Sequence, residues 1–373
     1  MIKRVQRDQI EEKLLGNKLL LIQGPKRVRK LLLIEDILNE RNISYAIVNC
    51  ADRKTRQQFE SGLPPTDQKV IILKGAQYLE NLDQIFEDVL SGNYTFTVVS
   101  LCAYQPDINP DLLAAMQMEG LVSTIYAPSF YETATHFGLP EEERLLEERL
   151  IYGNYPSVVD DLENAEETLN DIINEAVFTR MNTNERINKG DKLMRMLQLL
   201  AFQVGETISY NDIAERCDLD NETVERYILL LENAFLLFRL PSFHTDQRYE
   251  LKKSNMVYFV DNGIRNALIK NFNPPLLRND LNALWKNYMI AERIKWLKLN
   301  NSGHTCFFWK THTRQQIDYL EITGDGMRGY KMDWEKRKKV KFPLYFSEIY
   351  PQAKTTVINR SSYWTFLTEK FKG

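Results

Sequence analysis

Residues 18–34 read KLLLIQGPKRVRKLLLI, and the parsing of the whole chain follows from them. An apolar run ends at Gly24-Pro25, a basic turn follows, and a second apolar segment then begins that is too long for a strand. That is the outline of a buried strand, a phosphate-binding turn and a helix. With the first glycine of G-x-x-x-x-G-K-[ST] placed on Gly24, the lysine falls in register on Lys30. Arg29 stands where the second glycine belongs, and Leu31 where a hydroxyl would hold magnesium. The candidate phosphate-binding set is therefore Gly24, Pro25, Lys26, Arg27, Arg29 and Lys30.

Outward from this stretch, residues 2–15 read as a lead-in helix closed by Gly16-Asn17 in the left-handed conformation. Strands are expected at 18–22, 44–49, 69–73 and 95–101, with helices between them, the first over 30–40. Their nearly continuous apolar character suits strands covered on both faces, and the alternation with helices points to a three-layer α/β unit with a parallel sheet. After Pro128 the periodicity is helical, over 141–150, 171–180 and 192–203, with a break at Tyr152-Gly153-Asn154-Tyr155-Pro156. Ser209 and Asp220 are placed to cap helices over 210–216 and 221–234, and the strand-like FLLFRL follows, which is the order of a winged helix-turn-helix. Beyond 249 the pattern gives a strand at 258–260, a helix over 282–299, strands at 305–310, 317–322, 329–333 and 354–359, and a last helix over 363–371.

The 373 residues, 43% of them apolar, suffice for two or three domains. A net charge of -3 argues against coating nucleic acid by bulk charge. The opening MIKRVQRDQIEEKL is too charged for a signal peptide, and no apolar run approaches a membrane span, so the expected location is the cytoplasm and no membrane partner is expected. Cys50, Cys102, Cys217 and Cys306 show no metal-ligand spacing and read as reduced core thiols. His136, His244, His304 and His312 are dispersed too, so no metal site is assigned.

In this order the segments resemble the bacterial and archaeal AAA-type ATPases that carry a C-terminal domain of unknown function with a restriction-endonuclease-like core. The resemblance rests on GPKRVRK (24–30), ILKGAQYLENL (72–82), LEERLIYGNYPSVV (146–159), the run from ISYNDIAERC to FRLPSF (208–243), VYFVDNGIRNALIKNFNP (257–274), NDLNALWKNYMIAERIKW (279–296) and QIDYLEI (316–322). It implies a P-loop NTPase-type parallel sheet over 1–135, a helical lid and winged helix-turn-helix over 136–245, and an α+β restriction-endonuclease-like domain over 246–373. It also implies ATP with magnesium as the ligand.

The family's loop resembles GPRxxGKTT, of which Gly24, Pro25 and Lys30 are kept. Its acidic strand-end motif resembles hhhhDEAQ. This chain has Lys74 for the magnesium-side aspartate and Gly75 for the water-activating glutamate. The family's Thr-Gly-Ser turn and following Gly-Arg are matched by neither Ser100-Leu101-Cys102-Ala103 nor Glu119-Gly120-Leu121. In the C-terminal half the resemblance puts Glu292 on the helix and Asp318 on a strand, the first two nuclease positions. Lys331-Met332-Asp333 falls where relatives show Glu-x-Lys, with both charges reversed. Lys331 is expected to pair with a remaining carboxylate as a structural salt bridge; a rearranged metal site of Glu292, Asp318 and Asp333 is the alternative.

Losing two charge-assisted contacts at about 1.5–3 kcal/mol each weakens magnesium-nucleotide binding by roughly two to four powers of ten. The expectation is thus a non-hydrolysing binding or regulatory protein, with another protein or a second copy as partner and ATP/magnesium weakly held or absent. The alternatives are an active, DNA-associated ATPase with a rebuilt site, and a DNA-binding protein without catalysis. The second helix of the winged helix carries Asp220, Glu222, Glu225 and Glu232 against Arg226, which makes it a poor groove reader, and Val224, Tyr227, Ile228 and Leu231 read as core. The better DNA contact is the basic run Lys336, Arg337, Lys338 and Lys339.

Overall fold

The computed structural model describes residues 2–59, 62–181, 190–244, 254–335 and 340–368, with backbone alone at 178–181. The first part alternates helix and strand: α1 (Arg7–Gly16), β1 (Leu19–Gln23), α2 (Lys30–Glu40), β2 (Tyr45–Asn49), α3 (Arg53–Gln58), β3 (Val70–Lys74), α4 (Leu82–Leu90), β4 (Thr97–Cys102), α5 (Pro110–Met118) and β5 (Val122–Thr124). The five strands form one parallel sheet in the order β2-β3-β4-β1-β5. Alternate side chains on β1 serve two cores: Leu20 and Ile22 join one apolar cluster, Leu19 and Leu21 the other. Period-two alternation in a strand buried on both faces requires this.

Two expectations are corrected here. β2 is an edge strand whose residues are half-buried or exposed, because only β3 pairs with it and the short α3 buries none of its own residues. The lead-in helix begins at Arg7 and ends without a left-handed cap: Asn17 is extended, and its side-chain amide donates to the Lys13 carbonyl. The three-residue β5 was not anticipated.

A helical stretch follows: α6 (Phe130–Phe137), α7 (Leu139–Arg144), α8 (Leu146–Tyr152), α9 (Pro156–Val159), α10 (Ala165–Met181) and α11 (Gly190–Phe202). The helix expected over 141–150 is two helices meeting at Leu145, and the one expected from 171 starts six residues earlier. Then come α12 (Tyr210–Cys217), α13 (Asn221–Asn233) and the antiparallel pair β6 (Leu237–Pro241) and β7 (Asn255–Phe259). Ser209 and Asp220 cap α12 and α13 through the backbone amides of Asp212 and Thr223. On α13, Val224, Tyr227, Ile228 and Leu231 are buried, while Glu222, Glu225 and Arg226 face outward.

The remaining elements are α14 (Asn262–Leu268), α15 (Leu281–Leu299), β8 (Thr305–Lys310), β9 (Gln316–Thr323), β10 (Gly326–Met332), α16 (Leu344–Ile349), β11 (Lys354–Ile358) and α17 (Tyr363–Thr368). They build a second, mixed sheet in the order β11-β10-β9-β8, antiparallel except for the β10–β11 pair. Most of α15 is buried, and its buried charged residues are paired: Arg293 makes a bidentate contact to Glu321 at 2.6 and 2.9 Å, with both side chains fully buried, and Lys295 meets Glu292. One apolar cluster runs from Ile10 on α1 to Leu367 on α17. No helix among the described residues is long and apolar enough to cross a membrane.

Candidate phosphate-binding loop and the C-terminal carboxylates

The sheet order puts β4 between β1 and β3, and the registers Gln23 with Cys102 and Lys74 with Leu101 bring all three strand ends to one edge. The loop leaving β1 and the Lys74-Gly75 turn leaving β3 therefore share the C-terminal edge of the sheet. That edge is where ligands bind open parallel sheets.

Gly24 has φ +142°, and a β-carbon there would lie 1.9 Å from the Ile125 carbonyl oxygen. The loop then turns through two left-handed residues, Arg27 (φ 61°) and Arg29 (φ 66°), the second being the N-cap of α2. The left-handed geometry of the missing glycine is thus retained by an arginine, at a cost of about 1–3 kcal/mol. Lys30 folds back into the loop: its Nζ donates to the Gly24 and Pro25 carbonyls, 2.6 Å each. Burial lowers this amine to about 7, with a smaller push from Lys26. The neighbouring Cys102 thiol is pushed up to about 12 by burial, so it stays neutral. Leu31 packs against the apolar core.

The three other basic side chains are engaged by acids of the helical stretch. Arg29 pairs with Asp160, Arg27 with Glu175 and, at 3.3 Å, with Asp171, and Lys26 lies 3.8 Å from Glu175. Burial works against the Arg27 charge, but the hydrogen bonds to Glu175 and Asp171 more than offset it and raise the guanidinium above its ordinary range. Reading the turn as a candidate phosphate-binding set gave its basic side chains no acidic partners within the chain. The available signal was the four-residue spacing of Asp171 and Glu175, which puts both on one helix face. A cavity of about 330 Å³ lies beside the Arg29–Asp160 pair, lined also by Val28, Leu33, Pro128 and Pro156.

Across the edge, Lys74 is exposed and Gly75 is left-handed at φ +78°, where a β-carbon would meet the Tyr78 ring at 3.2 Å. The Gln77 carboxamide oxygen accepts from the Ala103 amide at 3.2 Å and ties the exits of β3 and β4 together. The residues at the magnesium positions do not fit that ion. Leu31 offers no oxygen and lies half-buried against the apolar core, and the strand end offers an ammonium and a glycine in place of two carboxylates.

In the C-terminal half, Glu292 and Asp318 have separate partners. Glu292 accepts from the Phe130 amide (2.7 Å), Lys295 (2.7 Å) and Asn154 (3.3 Å), and burial raises its carboxyl above the usual range. Asp318 is held by Lys286 at 2.8 Å and the Met332 amide at 2.9 Å. Among the described residues no group of three or more histidine, cysteine, aspartate or glutamate side chains is arranged to hold a metal ion. The combination of Glu292 with Asp318 and Asp333 is therefore not formed. Lys331 was expected to meet a carboxylate, but Lys286 has that place on Asp318, and Lys331 donates to the Lys341 carbonyl at 3.0 Å. Asp333 is buried, its amide bonded to the Ile358 carbonyl. Lys336, Arg337, Lys338 and Lys339 lie outside the described residues.

Sequence reasoning marked residues 152–156 only as a break. The structure makes them a joint: Asp261 accepts from the Asn154 and Gly263 amides at 2.8 Å each, and a β-carbon on Gly153 would stand 1.8 Å from the Asp261 carboxylate.

A family model described as a domain of unknown function (DUF8612) matches residues 143–275. An uncharacterized protein of Haemophilus influenzae is 25% identical over 304 residues, which cover 77% of this chain and 71% of that protein. Among solved structures, the chain is similar to a Walker-type ATPase of Pyrococcus abyssi, with a TM-score of 0.46 and 13% identity over 72% of this chain and 96% of that one. It is also similar to the Orc1 protein of Aeropyrum pernix in complex with DNA, with a TM-score of 0.33 and 12% identity over 71% of this chain and 91% of the other.

Proposed function

We propose that this chain is an AAA-type P-loop protein that no longer hydrolyses nucleotide and works as a binding or regulatory protein, with another protein or a second copy of itself as partner. The observation that carries the reading is the C-terminal edge of the parallel sheet, where Lys74 and Gly75 end β3 in place of the two carboxylates that hydrolysis needs. Leu31, half-buried against the apolar core, and Lys30, turned onto the loop's own carbonyls, support it. The order α12-α13-β6-β7 supports a winged helix whose second helix packs more than it reads DNA, given its outward Glu222 and Glu225. The order α15-β8-β9-β10-α16-β11 supports a restriction-endonuclease-like core kept as scaffold, its Glu292 and Asp318 spent on separate structural contacts.

The test is ATP turnover with magnesium by the purified full chain, beside Lys30→Ala. Turnover at the level of the buffer blank in both is expected. Turnover that Lys30→Ala abolishes overturns the reading.

A further inference from the structure

The acids that engage the basic loop are not scattered. Asp160 follows α9 directly, and Asp171 and Glu175 sit one turn apart on α10. The opposite side of α10 is anchored in the core through Leu169, Ile172, Ile173 and Val177. One rigid element thus fixes its apolar face in the protein and turns a carboxylate face onto Lys26 and Arg27, while Asp160 takes Arg29. Three cations meet three carboxylates. These are the charges that a phosphate chain would bring to such a loop.

We propose that this contact is autoinhibitory: the carboxylates of Asp160, Asp171 and Glu175 occupy the loop cations in place of a polyphosphate ligand, and the loop becomes a metal-independent anion site when an anion displaces these side chains from the cations. The proposal rests on reading the turn as a phosphate-loop remnant and adds how that remnant is controlled. Asp160 and Asp171 are more than half exposed, so the latch works in water, where ion pairs are exchangeable and salt-sensitive. An anion carrying several charges on adjacent groups can therefore compete for it. Magnesium is not needed, because Lys26, Arg27 and Arg29 supply the countercharge.

The experiment titrates inorganic pyrophosphate, in EDTA and at low salt, into the full chain and into the combined variant Asp160→Asn, Asp171→Asn, Glu175→Gln. A control, Glu119→Gln, Glu222→Gln, Glu225→Gln, changes net charge equally at exposed sites elsewhere. The latch variant is expected to bind about tenfold or more tightly than the parent, with the gain lost on adding Arg27→Gln and shrinking as salt is raised. Parent-like affinity in a folded latch variant overturns the proposal, as does an equal gain in the control. If the combined variant does not fold, Glu175→Gln alone is read by hydrogen exchange: faster exchange over residues 24–31 supports the latch, and unchanged exchange overturns it. Failure here leaves the proposal of a non-hydrolysing protein untouched, and turnover by the parent does not decide whether the latch exists.

Discussion

The carbonyl oxygen of Ile125 lies 1.9 Å from the point that a β-carbon on Gly24 would occupy. This glycine is required by the backbone that follows β5, whether or not a phosphate ever approaches the loop. Gly24→Ala is therefore expected to destabilise the protein by about 1–3 kcal/mol or more, from the left-handed backbone and the clash together. Denaturant unfolding monitored by circular dichroism reads the shift in midpoint. An unchanged midpoint would show that the loop and the residues after β5 move apart freely.

The arrangement of the first part was legible in residues 18–34 because a buried parallel strand, a turn and a helix each leave a local signature. Gly24 stands out in the sequence as the first glycine of the loop pattern, but its close neighbour Ile125 is about a hundred residues away, and no local pattern encodes that approach. Arg29 illustrates the reverse. The sequence says that an arginine avoids the left-handed region, yet the loop holds it there with Asp160 on its side chain. The caps Ser209 and Asp220 were readable since capping is a three-residue affair. The fate of Glu292 was not, because Lys295 is local but the Phe130 amide and Asn154 arrive from other elements. Arg27 and Glu175 are 148 positions apart, so the spacing of Asp171 and Glu175 marks an acidic helix face but not the basic turn that it meets.

Lys30 sets a pH dependence. Its folded amine titrates near 7, while in the unfolded chain it keeps its proton to the ordinary value of 10.5. Between those values the unfolded state binds more protons, so this residue's contribution makes stability rise with pH from about 7 toward 10.5. Lys30→Met should flatten that rise. Denaturant midpoints of the parent and the variant across the window are the check, with a carbon-13 methyl-lysine titration to place the midpoint directly. A Lys30 midpoint above 10 refutes the assignment.

The pair Arg293–Glu321 is fully buried and bidentate, and Arg293 also donates to the Phe366 carbonyl at 2.5 Å, so α15, β9 and α17 meet on one guanidinium. Removing one partner leaves an uncompensated buried charge, and Glu321→Gln is expected to cost about 3–5 kcal/mol. The double variant Arg293→Met, Glu321→Leu should lose much less than Glu321→Gln alone, since neither charge is then stranded. Equilibrium unfolding of the three proteins separates these outcomes. Equal losses in the single and double variants would mean that the pair contributes by packing.

Leu31 and Lys74 come from two different elements, yet both bear on magnesium. Leu31→Thr restores a hydroxyl but leaves the ammonium of Lys74 at the strand end, so ATP affinity should stay independent of magnesium. Lys74→Asp alone restores one carboxylate and lacks the hydroxyl. Together the two replacements supply both contacts, each worth about 1.5–3 kcal/mol when charge-assisted, and ATP binding should then strengthen on adding magnesium by at least about tenfold. Hydrolysis should remain absent, because Gly75 still stands where water would be oriented. Calorimetric titrations with and without the metal, run on both single variants and the pair, test this. A magnesium response in Leu31→Thr alone would place the metal on groups other than the β3 strand end.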